Sequence, residues 1–499
     1  MRRIVLLLTL IGLCMHAKAQ KETYNWAFGY GCGLTWNDTR SVAATGIGST
    51  VNATLTDLPT FFNSSISTLE GCFSLSDSDG NLLFYSDGMT IYNKNNAVMA
   101  NGSGMGGHNS SAQSGIILPF PESTTQYMAV SLGQTSDNNL AYSIIDMSLN
   151  GGLGGVTSQK NIRFPNPSGT TGESVTSIKH ANETDYWVVA PGKGSPTYLN
   201  AWLVSSSGVS SSPVVTICPT SISANTSNGY FKFTPDGKHF VWATFTGQAM
   251  IYGDFDTSTG LFSNIKIKTG FNYPYGVEFS PDQKNVFMRS NPTLYIYKAE
   301  ELFATPNTTV SQKTITLSGA SATHAALQIG PDKRVYGVSY NGTDMIIIDN
   351  VDDFDNLKIY SIPNFTTKNG GLGLPSFAAS WFSAKTKEKS FVCTGNDFRY
   401  TVEVSMSGPV SDQPTKLVWD FGDGSATVTQ NIVSDQTIYK QIHNYATTGK
   451  YTITIIPYKA NGAALSKITL PANVIDCVFK TNHMIRTDLQ NTATKAVNR

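Results

Sequence analysis

Five residues stand immediately before a small residue at the start of an apolar, alternating run: Glu70 before Gly71, Ser114 before Gly115, Asn228 before Gly229, Tyr275 before Gly276 and His324 before Ala325. Where strands converge on an axis, a small residue permits close backbone approach and its neighbour is left at the rim. The five neighbours offer a carboxylate, a hydroxyl, an amide, a phenol and an imidazole, groups that hold a polar ligand by hydrogen bonds and stacking. They are the candidate ligand-binding residues, against the plainer reading that each merely caps a loop. A second set, Glu70, Glu173, Glu278, His180 and His324, would equip one face for general acid–base work if the chain brought them together. No nucleophile elbow, HExxH, Walker loop or strand–GxGxxG–helix accompanies them, so no residue is assigned a catalytic role. Catalysis by a hydrolase or lyase acting on an extracellular carbohydrate or lactone stands as the alternative to a binding or structural protein.

The elements that must position these residues repeat along the chain. FKFTPDGKHFVWA from 231, VEFSPDQKNVFMR from 277 and LQIGPDKRVYGVS from 327 place Asp236, Asp282 and Asp332 46 and then 50 positions apart. Each copy reads as two alternating runs around a Pro-Asp turn, a β-hairpin, and the spacing suits one four-stranded propeller blade. Looser copies start near 72, 116 and 176, giving six blades. LGLPSFAASWF from 372 supplies a lone inner strand, and YNWAFGYGCGLTWN near the start supplies strands without a partner. Pairing these two ends closes the ring and removes both exposed edges. The expectation is an all-β chain with a propeller of about seven blades, six or eight being the alternatives.

Composition agrees with that class and excludes others. Thirty-five basic residues balance 35 acidic ones, only 14% of residues are charged, and 44 Gly and 21 Pro interrupt a 40% apolar chain. Such a chain lacks the basic charge of a nucleic-acid binder and has too much apolar content to be disordered. After residue 20 no apolar run reaches the ~20 residues of a membrane span. Residues 1–19, MRRIVLLLTLIGLCMHAKA, have the arginines, apolar stretch and small-residue site of a secretory signal. Export makes disulfides possible: Cys393 with Cys477 is the firmer pair and Cys32 with Cys72 the second, while Cys218 reads as a small buried residue.

From about residue 385 the character changes. Trp419-Asp420-Phe421-Gly422-Asp423-Gly424, followed at a distance by His443, Tyr445, Gly449 and Tyr451, resembles the two motifs of the polycystic-kidney-disease (PKD) domain. The resemblance implies an immunoglobulin-like β-sandwich over residues 390–478, serving as an extracellular spacer or interaction module. Asp420 and Asp423 are candidate calcium ligands, although Asp in such a turn more commonly bonds the backbone; no other cofactor is indicated. The phrases NWAFGYGCGLTWN, EGCFSLSDSDGNLLFYSDGMTIYN, SIIDMSLNGGLGGV, KHANETDYWVV and GVEFSPD in residues 20–385 resemble secreted propeller proteins of Bacteroidota. Relatives of that kind carry PKD domains and a C-terminal type IX sorting or gliding-motility domain, for which residues 479–499, expected to be a mobile tail, are too short. The resemblance implies a secreted, cell-surface or periplasmic protein whose partner is a glycan or a cell-envelope protein.

Overall fold

The computed structural model describes residues 21–134, 140–166, 170–192, 197–219, 228–306, 309–381, 391–395, 397–404, 413–433, 438–465 and 467–475. The secretory signal, Cys477 and the C-terminal tail lie outside these residues. The chain divides into two compact units at Ser383/Ala384.

The first unit is a β-propeller. Strands β1 (Asn25–Phe28), β2 (Tyr30–Gly46) and β3 (Ala53–Ser67) form an antiparallel N-terminal meander. Blade 1 follows as β4 (Phe73–Ser76), β5 (Leu82–Ser86), β6 (Thr90–Asn93) and β7 (Val98–Ser103). Blades 2 to 6 start with the strands Gly115–Pro119, Thr176–Lys179, Phe231–Phe233, Gly276–Phe279 and Leu327–Ile329, each paired antiparallel to its successor. These first strands are almost wholly buried.

Hydrogen bonds between neighbouring blades run round the axis just before these strands. Gly71 N–H donates to Ser111 O (2.8 Å), Gln113 N–H to Glu173 O (2.9 Å) and Tyr230 N–H to Tyr275 O (2.8 Å). Ser174 Oγ donates to Gly229 O (2.5 Å), linking blades 3 and 4. Ala326 N–H donates to Leu372 O (2.7 Å), and Leu372 N–H to Leu69 O (2.5 Å). Residues 372–378 thus take the seventh place, between blades 6 and 1. The lone strand expected there is not a regular strand: its pairing is one parallel bridge, Cys72 to Pro375. The meander completes the seventh blade, β1 lying against β4 through Ser74 Oγ to Asn25 O (2.7 Å) and β2 joining blade 6 at Thr45 and Gly46. The glycines behave as their positions require. A Cβ on Gly71, Gly276 or Gly373 would collide with the backbone of the next blade around the ring.

The Pro-Asp repeats brace their hairpins with one side-chain pair. Thr234 Oγ1 donates to Asp236 Oδ1 and Ser280 Oγ to Asp282 Oδ1, both at 2.8 Å, while each hydroxyl accepts the N–H five residues on. In the third copy Gly330 has no hydroxyl, and Tyr336 Oη donates to Asp332 Oδ2 instead (2.5 Å). That tyrosine packs edge-on against Trp26 and Trp36 of the meander, tying blade 6 to the seventh.

The second unit pairs a five-stranded sheet with the two-stranded sheet Asp397–Glu403/Ile438–Asn444. Its core comprises Phe398, Tyr400, Leu417, Trp419, Phe421, Tyr439, Tyr445, Ile453 and Ile455. This is the sandwich expected of the WDFGDG segment, with Trp419 fully buried between the sheets. Within the first unit Cys32, Cys72 and Cys218 are buried, and Cys32 and Cys72 are free thiols. The bridge expected between Cys32 and Cys72 is not formed: Cys32 Sγ donates to Lys368 O at 3.0 Å instead.

Candidate functional site

The rim of the ring gathers most of the residues singled out above. Tyr275 starts blade 5 and is 1% exposed, its ring 5.6 Å from that of Tyr230 and 5.5 Å from that of His324. His324 packs on Phe245 at 4.5 Å, and Phe245 stacks on Tyr273 at 4.9 Å. Tyr273 is 41% exposed, so one edge of this aromatic group faces solvent. Across the ring Glu70 accepts a long hydrogen bond from Ser110 Oγ (3.4 Å). Burial and the neighbouring Glu173 push the Glu70 carboxyl up to about 8, with Tyr275 close enough to act in the opposite direction. Burial and the carboxylates push the Tyr275 phenol well above its ordinary value. Burial, aided by the Arg289 charge, pulls His324 down to about 4. At neutral pH the rim therefore presents a protonated Glu70, a neutral Tyr275 and a neutral His324.

Several polar atoms here have no protein partner. They are the Tyr275 hydroxyl, His324 Nδ1, Asn228 Oδ1 and Ser114 Oγ. Ser114 differs from the others in place. It is 0% exposed and packs against Gly88 of blade 1, which covers it. A serine preceding Gly115 is short enough to be covered by the turn beside it, which strand alternation does not reveal. Of the acid–base set, Glu70, Glu173 and His324 share the rim. Glu278 does not: it is buried further along its strand, where it binds Lys232 Nζ (3.2 Å) and accepts the N–H of Ile329 (3.0 Å). His180 lies at the far turn of blade 3, bonded to Ser258 O (3.2 Å).

Two further residues shape the rim from below, and neither stood out in sequence. Tyr230 Oη donates to Leu374 O (3.0 Å) and accepts from Leu374 N–H (3.1 Å), crossing from blade 4 to the seventh position. Gln113 accepts the N–H of Phe231 (2.9 Å) and donates to Ser376 Oγ (3.4 Å). Side chains thus span the axis under the rim. The only sequence signal was that each stands beside one of the ring's small or flagged residues.

In the PKD unit the WDFGDG carboxylates are engaged locally. Asp420 Oδ1 accepts the N–H of Gly422 (2.9 Å), Asp423 Oδ1 that of Ser425 (3.1 Å), and Asp423 Oδ2 faces His443 Nε2 at 2.7 Å. His443 lies flat on Phe421 (centroids 3.9 Å apart), and the Tyr445 hydroxyl donates to Phe421 O (3.0 Å). Gly422 and Gly424 have φ of 75° and 82°, the left-handed values their turn needs. The serine and histidine contacts hold Asp423 down at about 2. Further along, Gly449 opens the strand that carries Tyr451, whose hydroxyl donates to Thr447 O (3.0 Å). Among the described residues no group of three or more His, Cys, Asp or Glu side chains is placed to hold a metal ion.

Residues 383–474 match the PKD domain profile. The chain matches no curated protein sequence. Among solved structures it is similar to a candidate 6-phosphogluconolactonase from Bacteroides fragilis, at 11% identity over 68% of this chain and 98% of that one, with a TM-score of 0.43. A second candidate 6-phosphogluconolactonase, from Bacteroides uniformis, aligns at 11% identity over 81% and 96%, with a TM-score of 0.38. The extracellular domain of a candidate hybrid two-component system from Bacteroides thetaiotaomicron aligns at 10% identity over 91% and 56%, with a TM-score of 0.36. Among the described residues no helix is long and apolar enough to cross a membrane. The chain is a β-propeller that carries a PKD domain.

Proposed function

We propose that this chain works outside the cytoplasm as a binding protein, the propeller rim taking a polar, hydroxyl-rich ligand such as a glycan and the PKD domain serving as spacer or second contact. The convergence of unpartnered polar atoms of Tyr275, His324 and Asn228 beside the part-exposed Phe245–Tyr273 pair carries this reading. A buried polar atom without a partner costs about 1–3 kcal/mol, and a ligand that supplies the partner recovers it. Aromatic faces next to hydrogen-bonding groups suit a sugar ring, which is apolar on its faces and polar at its edge. The secretory signal read in residues 1–19 supports export. A glycan-array screen of residues 20–499, with and without calcium, tests the proposal. Selective binding lost in Tyr275→Ala and His324→Ala is the expected result. No selective binding in either condition overturns the glycan reading and leaves an envelope protein as partner, to be sought by crosslinking on intact cells.

The Glu70–Glu173 pair supports a second reading, acid–base catalysis on an extracellular carbohydrate or lactone. A carboxyl that keeps its proton to about pH 8 beside a second carboxyl is equipped to act as a general acid. Under that reading Glu70→Gln abolishes turnover while the melting temperature holds.

A further inference from the structure

Arg289 is the clue to what kind of ligand the rim takes. Its side chain is 0% exposed, and it forms no ion pair with any described residue. Nη1 donates to Val338 O (2.6 Å) and Nη2 to Ser321 O (2.9 Å), while Nε has no acceptor. Both bonds are to neutral carbonyls, so a full positive charge is buried without a counter-charge. Such a charge is costly to bury. Lys232, a buried cation on the first strand of blade 4, has its carboxylate in Glu278. Arg289 is also set directly behind the rim. Its carbonyl accepts the N–H of Tyr275 (2.9 Å), and its guanidinium holds the turn Gly319–Ala322 that leads into His324.

Resting on the ligand-binding reading above, we propose that the rim is selective for a carboxylate-bearing ligand, a uronate rather than a neutral or amino sugar, whose anionic group lies against Tyr275 and His324 over the Arg289 charge. The Tyr275 hydroxyl and the neutral imidazole of His324 are the donors that touch the carboxylate, and both have a polar atom with no protein partner. Arg289 acts from behind through a medium of low dielectric, where a charge is felt further than in water. The sugar hydroxyls then face Asn228, Ser110 and Glu70 across the ring. Glu70 in its acid form adds a donor there rather than a repelling charge. Burial pulls the Arg289 guanidinium down to about 9 and the arginine in turn disfavours a charge on His324, the direction that a waiting anion would reverse.

Calorimetric titration of residues 20–499 with methyl glucuronide, methyl glucoside and methyl glucosaminide tests this. The glucuronide is expected to bind about tenfold more tightly than the glucoside, the worth of one charge-assisted contact. That advantage shrinks at high salt and disappears in Arg289→Met. Tyr275→Phe and His324→Gln weaken glucuronide binding without loss of fold, and they carry the test if Arg289→Met does not fold. Equal or tighter binding of the neutral glucoside overturns the charge selectivity and leaves the glycan reading standing. Preference for the glucosaminide overturns it by assigning the rim to cations. Absence of binding by all three overturns it as well, and with a negative glycan screen overturns both readings.

Discussion

The propeller carries two buried groups of charged and polar side chains, and they are built on opposite terms. Between blades 4, 5 and 6, Lys232 Nζ donates to Glu278 Oε2 and to Gln328 Oε1, while the Glu278 oxygens also accept the N–H groups of Phe279 and Ile329. The carboxylate oxygens are thus filled and the two charges cancel. At the rim, Tyr275, His324, Asn228 and Arg289 each keep an unpartnered atom, and the arginine has no counter-charge. The same ring therefore holds a closed network that joins blades and an open one that is left incomplete. A small cavity beside Lys232, Glu278 and Phe377, with about 10 Å³ of room, holds no more than a water, which fits the closed group's role in packing.

The sharpest break in this comparison is at the closed group. Glu278→Ala leaves the Lys232 ammonium buried with only an amide oxygen, and should lower stability by about 3–5 kcal/mol, read by urea denaturation. Lys232→Met combined with Glu278→Leu should recover most of that loss, because the uncompensated charge is gone. If the single and double variants are equally destabilised, the pair is not a coupled unit.

A smaller effect concerns Glu70 and depends on pH. Its carboxyl titrates near 8 in the folded chain and near 4.5 when free, so the folded state holds the extra proton between those values. Stability contributed by this group is therefore full at low pH and falls as pH rises towards 8. Glu70→Gln should therefore gain stability on the parent as pH rises through this window and be no more stable at pH 4. His324 acts with the opposite sign: lowered to about 4, it withdraws stability as pH falls below its free value of 6.5. The two oppose each other from 4.5 to 6.5, and Glu70 acts alone above that window. A melting temperature in Glu70→Gln that tracks the parent across the range removes the argument.

The smallest expected change is at Tyr275. Its hydroxyl lies by the Glu70 carboxyl but makes no well-formed hydrogen bond, so Tyr275→Phe should alter stability by less than about 0.5 kcal/mol, in contrast to the effects at Lys232 and Glu278. A loss of more than about 1 kcal/mol in thermal denaturation would mean that the hydroxyl has a partner after all and that the rim is closed like the inner network.

What the sequence made legible follows from what is local. The Pro-Asp hairpins, the WDFGDG turn and the glycines at the ring are short-range requirements, and each appears where the residue types place it. Strand alternation could not tell an open rim residue from a covered one, so Ser114 was grouped with Tyr275 although Gly88 covers it. Nor could spacing separate Glu278 from Glu70, since both belong to the first strands or their approach and differ only in depth along the axis. Arg289 was silent because it belongs to a second strand, read as an alternating run like any other. Its significance comes from the carboxylate that is not there. Cys32 and Cys72 are brought to the same region, yet Cys32 spends its thiol on the Lys368 carbonyl, a residue far away in the chain.

That last contact bears on how the molecule comes to be whole. Cys32 and Lys368 are 336 positions apart, and the same seam holds Tyr30 to Asn369 and Leu69 to Leu372. Blades 1 to 6 are hairpins that fold on local contacts, whereas this seam waits for the two ends of the ring to meet. Closing so long a loop adds only a slowly growing entropic penalty, but it makes the step late and slow. The meander and residues 369–376 act as the clasp of a bracelet whose links are already formed. Until it shuts, the outer strand of blade 6, Lys358–Ile362, lacks the partner that β2 gives it and is open to pairing with another chain, so the interval before closure is the one most exposed to misassembly.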